Sequence, residues 1–100
     1  MMMKLAVLQL AKNDLQEIHE YLSEFGDSPP KKFRYGFERF CAQVVRMPQM
    51  FSQYEQNLKY RIAVIAYGYV VFYRFDENSG NVNIYRVLHG KRAVELLIED

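Results

Sequence analysis

One hundred residues, half of them hydrophobic and 15% aromatic, suffice for one domain over residues 1–100 with a real core, and they exclude a disordered chain. No apolar run approaches the roughly 20 residues of a membrane span, so no membrane partner is expected. The opening Met1-Met2-Met3-Lys4-Leu5 is interrupted too soon for a signal peptide, and the expected location is cytoplasmic; the formal net charge is +1.

The first element is a short apolar run, Lys4 to Leu10, which reads as a buried strand. The period then changes. Ala11, Leu15, Ile18, Leu22 and Phe25 form one stripe of an amphipathic helix, with Asp14, Glu17, Glu20 and Glu24 assigned to its other face. The early acids also suit the positive end of the helix dipole. Gly26 is a suitable C-terminal cap, and Ser28 with Pro29 and Pro30 starts a second helix. Phe33, Phe37, Phe40, Val44 and Met47 repeat the stripe until Pro48 ends it. The two helices should form an antiparallel hairpin with one acidic and one basic outer face.

Residues 47–58 read as a polar connection with apolar anchors. Beyond it the period is two. Tyr60–Ala66, Tyr69–Phe75 and Asn81–Leu88 are rich in Val, Ile, Tyr and Phe and read as strands. Tyr67-Gly68 and Asp76–Asn81 supply the turns, so the strands form an antiparallel meander. Tyr69–Phe75 is apolar on both faces apart from Arg74 and should be central. A short C-terminal helix is expected over Arg92–Ile98. The fold class is α+β: an N-terminal strand, a helical hairpin, a three-stranded meander and a final helix.

Metal and cofactor chemistry find little support. Cys41 is the sole cysteine and His19 and His89 the only histidines; there is no CxxC, HExxH, calcium loop or Gly-rich phosphate loop. No cofactor is therefore expected. Cys41, beside Phe40 and Phe37, reads as a small core hydrophobe, and His19 as a boundary residue of the first helix.

Charge is unevenly placed. Residues 1–28 carry two lysines against five acids, residues 29–60 six cations against two acids, and residues 61–100 five of each. A fold that gathered the cations would meet an acidic partner or a phosphate backbone; otherwise they are ordinary solvated charge. The last strand closes on His89-Gly90-Lys91-Arg92. These residues read either as a contact site or as a charged strand end that favours solubility. Strict alternation puts Val82, Ile84, Arg86 and Leu88 on one face, which marks Arg86 for a structural pair.

The ordered combination of these pieces resembles the RelE/ParE superfamily of toxins from bacterial type II toxin–antitoxin modules, and within it the ParE-like branch. "LQLAKNDLQEIHEYLSEFG" resembles the opening strand-to-helix segment, "VVRMPQMF" the end of the second helix, and "YRIAVIAYGYVVFYRFDENSGNVNIYRVLHGKR" the three-stranded half with its closing motif. The resemblance implies the same element order and a toxin of a plasmid-stabilisation type module that arrests growth. It further implies neutralisation by a cognate acidic antitoxin in a hetero-oligomer. ParE-like members poison DNA gyrase without catalytic residues, whereas RelE-like members cleave ribosome-bound mRNA.

On the gyrase reading, His89, Lys91 and Arg92 form a target-binding tail. On the nuclease reading, Arg61, Tyr85, His89 and Arg92 are the catalytic candidates, since His, Arg and Tyr serve proton transfer and phosphate neutralisation at neutral pH. Arg61 is the first cation to choose, because it opens a strand at a matching position; its structural alternative is an ion pair with an acid of the first helix. The dense basic clusters of several RelE-like nucleases are absent, which favours the gyrase reading. A third reading is a toxin fold that binds its antitoxin only. The antitoxin is expected to dock beside the hairpin and on the sheet face that the helices leave open, with exposed Tyr, Val and Phe rimmed by cations.

Overall fold

The computed structural model describes residues 4–90 and 92. Strand β1 spans Lys4–Val7, helix α1 Gln9–Ser23 and helix α2 Ser28–Arg46; β2 (Arg61–Val64), β3 (Tyr69–Asp76) and β4 (Asn81–His89) follow. The sheet order is β1-β4-β3-β2. The β2–β3–β4 meander is antiparallel, with β3 inside the sheet as its double-sided apolar pattern requires. β1 returns alongside β4 in parallel, a pairing that the local pattern does not encode. The expected helix over Arg92–Ile98 falls almost wholly outside the described residues.

Several element ends differ from the periodicity. The first strand stops at Val7, not Leu10, because the Leu8 carbonyl already accepts the Lys12 N–H at 3.0 Å and begins the helix. Leu10 is consequently exposed. Phe25 lies past the end of α1, beside Gly26 at φ +112°, and is 64% exposed, outside the core its spacing suggested. Met47 follows α2 with a non-helical backbone and is 61% exposed. Asp27, not Ser28, occupies the N-cap position of α2, with a proline in the first turn as expected.

The helical hairpin covers one sheet face. Ala11, Ile18 and Leu22 from α1 and Phe33, Phe40 and Val44 from α2 pack on Ala63, Val71, Tyr73, Val82, Ile84 and Val87. Phe40 meets the Tyr73 ring edge-on at 5.6 Å. The Tyr73 hydroxyl crosses this layer to donate to the Pro48 carbonyl at 2.7 Å, which ties the long connection to the sheet. Burial pushes the Tyr73 phenol up from its usual 10 to about 12. The sign follows: above pH 10 the unfolded chain loses this proton while the folded chain keeps it, so stability falls as pH rises from 10 towards 12. Tyr73→Phe is expected to lose about 1 kcal/mol at neutral pH and to flatten that alkaline slope, as read by urea unfolding at a series of pH values.

The opposite face is not the open apolar surface expected from the sequence. Tyr54 and Tyr60, from the connection and its end, fold over Phe72 and Leu88 and make a second core layer with Ile62, Val70 and Tyr85. Tyr54 and Tyr60 each meet Phe72 edge-on. The aromatic anchors of the 47–60 segment therefore use this face themselves. Tyr60, Tyr69 and Tyr73 are buried, and Tyr67 alone of the strand-region tyrosines is well exposed.

β4 carries a bulge. Phe72 pairs with Arg86 and Tyr73 with Ile84, so Tyr85 is an extra residue. The extra residue reverses the alternation expected along β4. Val82, Ile84 and Val87 share the helix-side core, while Leu88 falls in the opposite layer. Arg86 and Leu88 thus do not continue the face of Val82 and Ile84.

Candidate target-binding site

The bulge prepares the site at the end of β4. β1 pairs only with residues 81–84, so beyond Ile84 the edge of β4 has no strand partner. Helix α1 takes its place. The Leu8 N–H donates to the Ile84 carbonyl at 3.0 Å, and six residues on, Asp14 faces the strand edge. Asp14 Oδ2 accepts the Val87 N–H at 3.0 Å and Arg86 Nε at 2.8 Å, while Oδ1 accepts Arg86 Nη2 at 2.9 Å. The carboxylate replaces the missing strand and holds the guanidinium bidentately. This hydrogen bond raises the Arg86 pKa further above its ordinary value.

Two expectations are corrected here. Asp14 is 7% exposed and belongs to the buried side of α1, not to the acidic outer face. Its spacing carried the signal: it lies three residues after Ala11 and four before Ile18, on the apolar stripe. The ion pair with an acid of α1 belongs to Arg86 and not to Arg61, although the bulge removes the face shared with Val82 and Ile84 on which a structural pair was expected. Arg61 Nη1 donates instead to the carbonyls of Phe51, at 2.7 Å, and Gln49, at 3.3 Å. Arg61 fastens the connection to β2.

Past Arg86 the strand delivers His89. It pairs with Tyr69 in register, and the two rings meet edge-on with centroids 5.5 Å apart. Gly68, at φ +75°, turns the chain beneath it; a Cβ there would lie 3.7 Å from His89 Nε2. A left-handed backbone of this kind favours glycine. Tyr67 just before it has φ +61°, a strained value for a tyrosine. A groove of about 260 Å³ runs from His89 and Arg92 to α1, where Asp14, Glu17 and Tyr21 form the facing wall. A neighbouring hollow is lined by Tyr21, Phe25, Tyr67 and His89. The sequence pointed to His89 and Arg92, but not to Tyr21 and Tyr69, whose contribution depends on how α1 lies against the end of the sheet. Lys91 lies outside the described residues.

The four nuclease candidates do not converge. Arg61 sits opposite Tyr73 and His89 opposite Tyr69, four residues apart along β3, or about 13 Å. Tyr85 lies in the opposite core layer, edge-on to Tyr60 at 5.3 Å and beneath the Arg74 guanidinium at 5.7 Å. Only His89 and Arg92 share a surface. Among the described residues no group of three His, Cys, Asp or Glu side chains is placed to hold a metal ion, and no helix is long and apolar enough to cross a membrane. Cys41 is half-buried against the core, with its thiol pushed up to about 11, chiefly by burial.

A helical hairpin on a four-stranded sheet, with a groove where α1 meets the end of β4, defines a small α+β protein. The model of the ParE toxin family of type II toxin–antitoxin system, parDE, matches residues 5–94. The chain belongs to this family and is the toxin of a type II toxin–antitoxin system. Two chains among the solved structures that share its fold illustrate the likeness. A chain of the chromosomal ParDE system from P. aeruginosa superposes with a TM-score of 0.62 at 17% identity, covering 88% of this chain and 96% of that one. A chain of the toxin–antitoxin complex RelBE2 from Mycobacterium tuberculosis gives 0.58 at 21% identity, covering 89% and 99%. No curated protein matches the chain.

Proposed function

We propose that this toxin arrests growth by binding and poisoning DNA gyrase, with the His89–Arg92 end of β4 as its contact. The observation that carries this reading is the dispersal of Arg61, Tyr85 and His89. Cutting RNA needs a base, a phosphate ligand and an acid around one phosphodiester. Arg61 is engaged by two backbone carbonyls, and Tyr85 lies in the opposite core layer. A protein-binding inhibitor needs no such convergence. It needs an exposed edge with aromatic and cationic side chains, and Tyr21, Tyr67, His89 and Arg92 supply one. Lys91 is assigned to the same contact from its place in the sequence.

An acidic antitoxin is the second partner in this proposal. The layer of Tyr54 and Tyr60 over Phe72 removes the open sheet face as its dock. The partner segment docks along the hairpin side instead, where Tyr21 and Phe25 are exposed. Both solved neighbours come from toxin–antitoxin systems, which supports such a partner. Affinity capture from the native host that recovers no small acidic protein encoded beside this gene counts against it.

The decisive experiment is induced expression of the chain with DNA breaks and transcript integrity followed over the first minutes. DNA breaks with intact transcripts are expected. Rapid cleavage of translated mRNA would instead select the RelE-type nuclease reading. A chain truncated after Leu88 is expected to keep its fold, by far-UV circular dichroism, and to lose gyrase inhibition by tenfold or more, roughly the loss of 1.4 kcal/mol of contact. Unfolding on truncation would make this tail structural.

A further inference from the structure

The outer face of α2 has no role in the target site or the core. The apolar stripe of Phe33, Phe40 and Val44 faces the sheet. Directly opposite runs a second stripe at spacings of 3, 4, 3 and 4: Lys32, Tyr35, Arg39, Ala42 and Arg46, every one exposed. Its three cations recur every seven residues, two helical turns, so they stand about 10.5 Å apart on one straight line about 21 Å long. Lys31 and Arg34 flank the line, and Glu38 is the one acid in the helix. Among the described residues none of these five cations is in a salt bridge or hydrogen bond. The acids lie on the other helix, at Glu17 and Glu20, and at its C-cap, Glu24. A net charge of only +1 therefore conceals a strongly positive ridge.

From this ridge we infer that α2 is a docking surface for the phosphate backbone of duplex DNA. The choice of DNA rests on the gyrase reading, since that enzyme's substrate is duplex DNA; the charge argument itself does not. The ridge fits a polyphosphate better than an acidic peptide. A peptide that folds on binding needs an apolar groove to anchor it. This stripe offers a convex rod with Ala42 and one tyrosine as its uncharged members, and Tyr35, 68% exposed, presents its hydroxyl as a phosphate donor. A 21 Å rod matches about six phosphates of one strand, at roughly 3.4 Å per step along the axis. The small side chain of Ala42 between Arg39 and Arg46 lets the helix approach closely. Contacts of this kind position a protein on DNA without reading sequence.

The test uses the full-length toxin and a fluorescent DNA duplex of about 20 base pairs, with anisotropy titrations from about 50 to about 200 mM salt. Weak binding that is indifferent to sequence is expected, with a slope of log K against log salt near −2.7 for three phosphate contacts, or about a 40-fold loss across that range. Arg39→Gln should reduce the slope by about 0.9, and the triple variant K32Q/R39Q/R46Q should bring it close to zero with an unchanged melting temperature. A triple variant that binds as the parent does overturns the inference. So does the absence of binding at the lowest salt. A duplex RNA bound more tightly than the DNA overturns the choice of DNA. Wild-type toxin that binds DNA through α2 but fails to inhibit purified gyrase leaves this inference standing and defeats the proposed target.

Discussion

Asp14→Ala is expected to lower the unfolding free energy by about 3–5 kcal/mol, the usual cost of removing one partner from a buried ion pair. The change leaves three donors without their acceptor: Nε and Nη2 of Arg86 and the Val87 N–H. Arg86 keeps some contact with solvent, so the loss should fall towards the lower end of that range. The Val87 amide is buried at an edge where no strand follows β1, and it has no alternative partner among the described residues. A double-mutant cycle separates the two effects. Arg86→Met alone should cost less than Asp14→Ala, because it leaves the carboxylate bonded to the Val87 amide. The double variant should recover part of the sum, giving a coupling of about 1–3 kcal/mol. Additive losses, read by urea denaturation, would show that the pair does not secure α1 to β4. Because Asp14 also lines the groove below His89, its loss should disturb the candidate target contact as well.

Phe72→Ala is the second large effect, at about 3–5 kcal/mol. The ring is 0% exposed and lies between the edges of Tyr54 and Tyr60. Truncation leaves a cavity in the smaller of the two core layers, where few neighbours can collapse inward. In a domain whose total stability is of order 5–15 kcal/mol, this removes much of the margin. Thermal unfolding would show a melting point lowered by roughly 15 °C or more at that cost. Phe37→Ala, at a half-buried position of α2, should cost less. Equal effects at the two positions would mean that the Tyr54–Tyr60 layer is not a true core.

The stripe in α2, the three period-two runs and the turn signals of Gly68 and Gly80 were legible because each is a local property of a few residues. The element order followed from them, and with it the α+β class. Element ends were less legible, since helix geometry at Leu8 and Met47 depends on hydrogen bonds that compete over one or two residues. Arg61 and Arg86 both open onto apolar strands in the sequence, and nothing local says that one meets a carboxylate and the other two carbonyls. For the candidate site, His89 and Arg92 were legible as chemistry at a strand end. Tyr21 and Tyr69 were not, because an aromatic residue on a helix or strand looks the same whether it walls a groove or fills a core.

The sequence by itself determined the two helices, the meander, the opposite charges of the helix exteriors and the position of His89 at the end of the last strand. These depend on periodicity and composition, and the chain carries them wherever its elements are placed. Tertiary structure alone decided three things. The parallel return of β1 leaves half of β4 without a strand partner, and so makes Asp14 a buried acceptor. The bulge at Tyr85 reverses the faces beyond it and separates Tyr85 from His89. The 47–60 connection folds back over Phe72 and closes the face that alternation alone would leave open. Each is a contact between residues far apart in sequence, and it exists because a sheet edge or an apolar face must be satisfied by whichever segment the topology brings within reach.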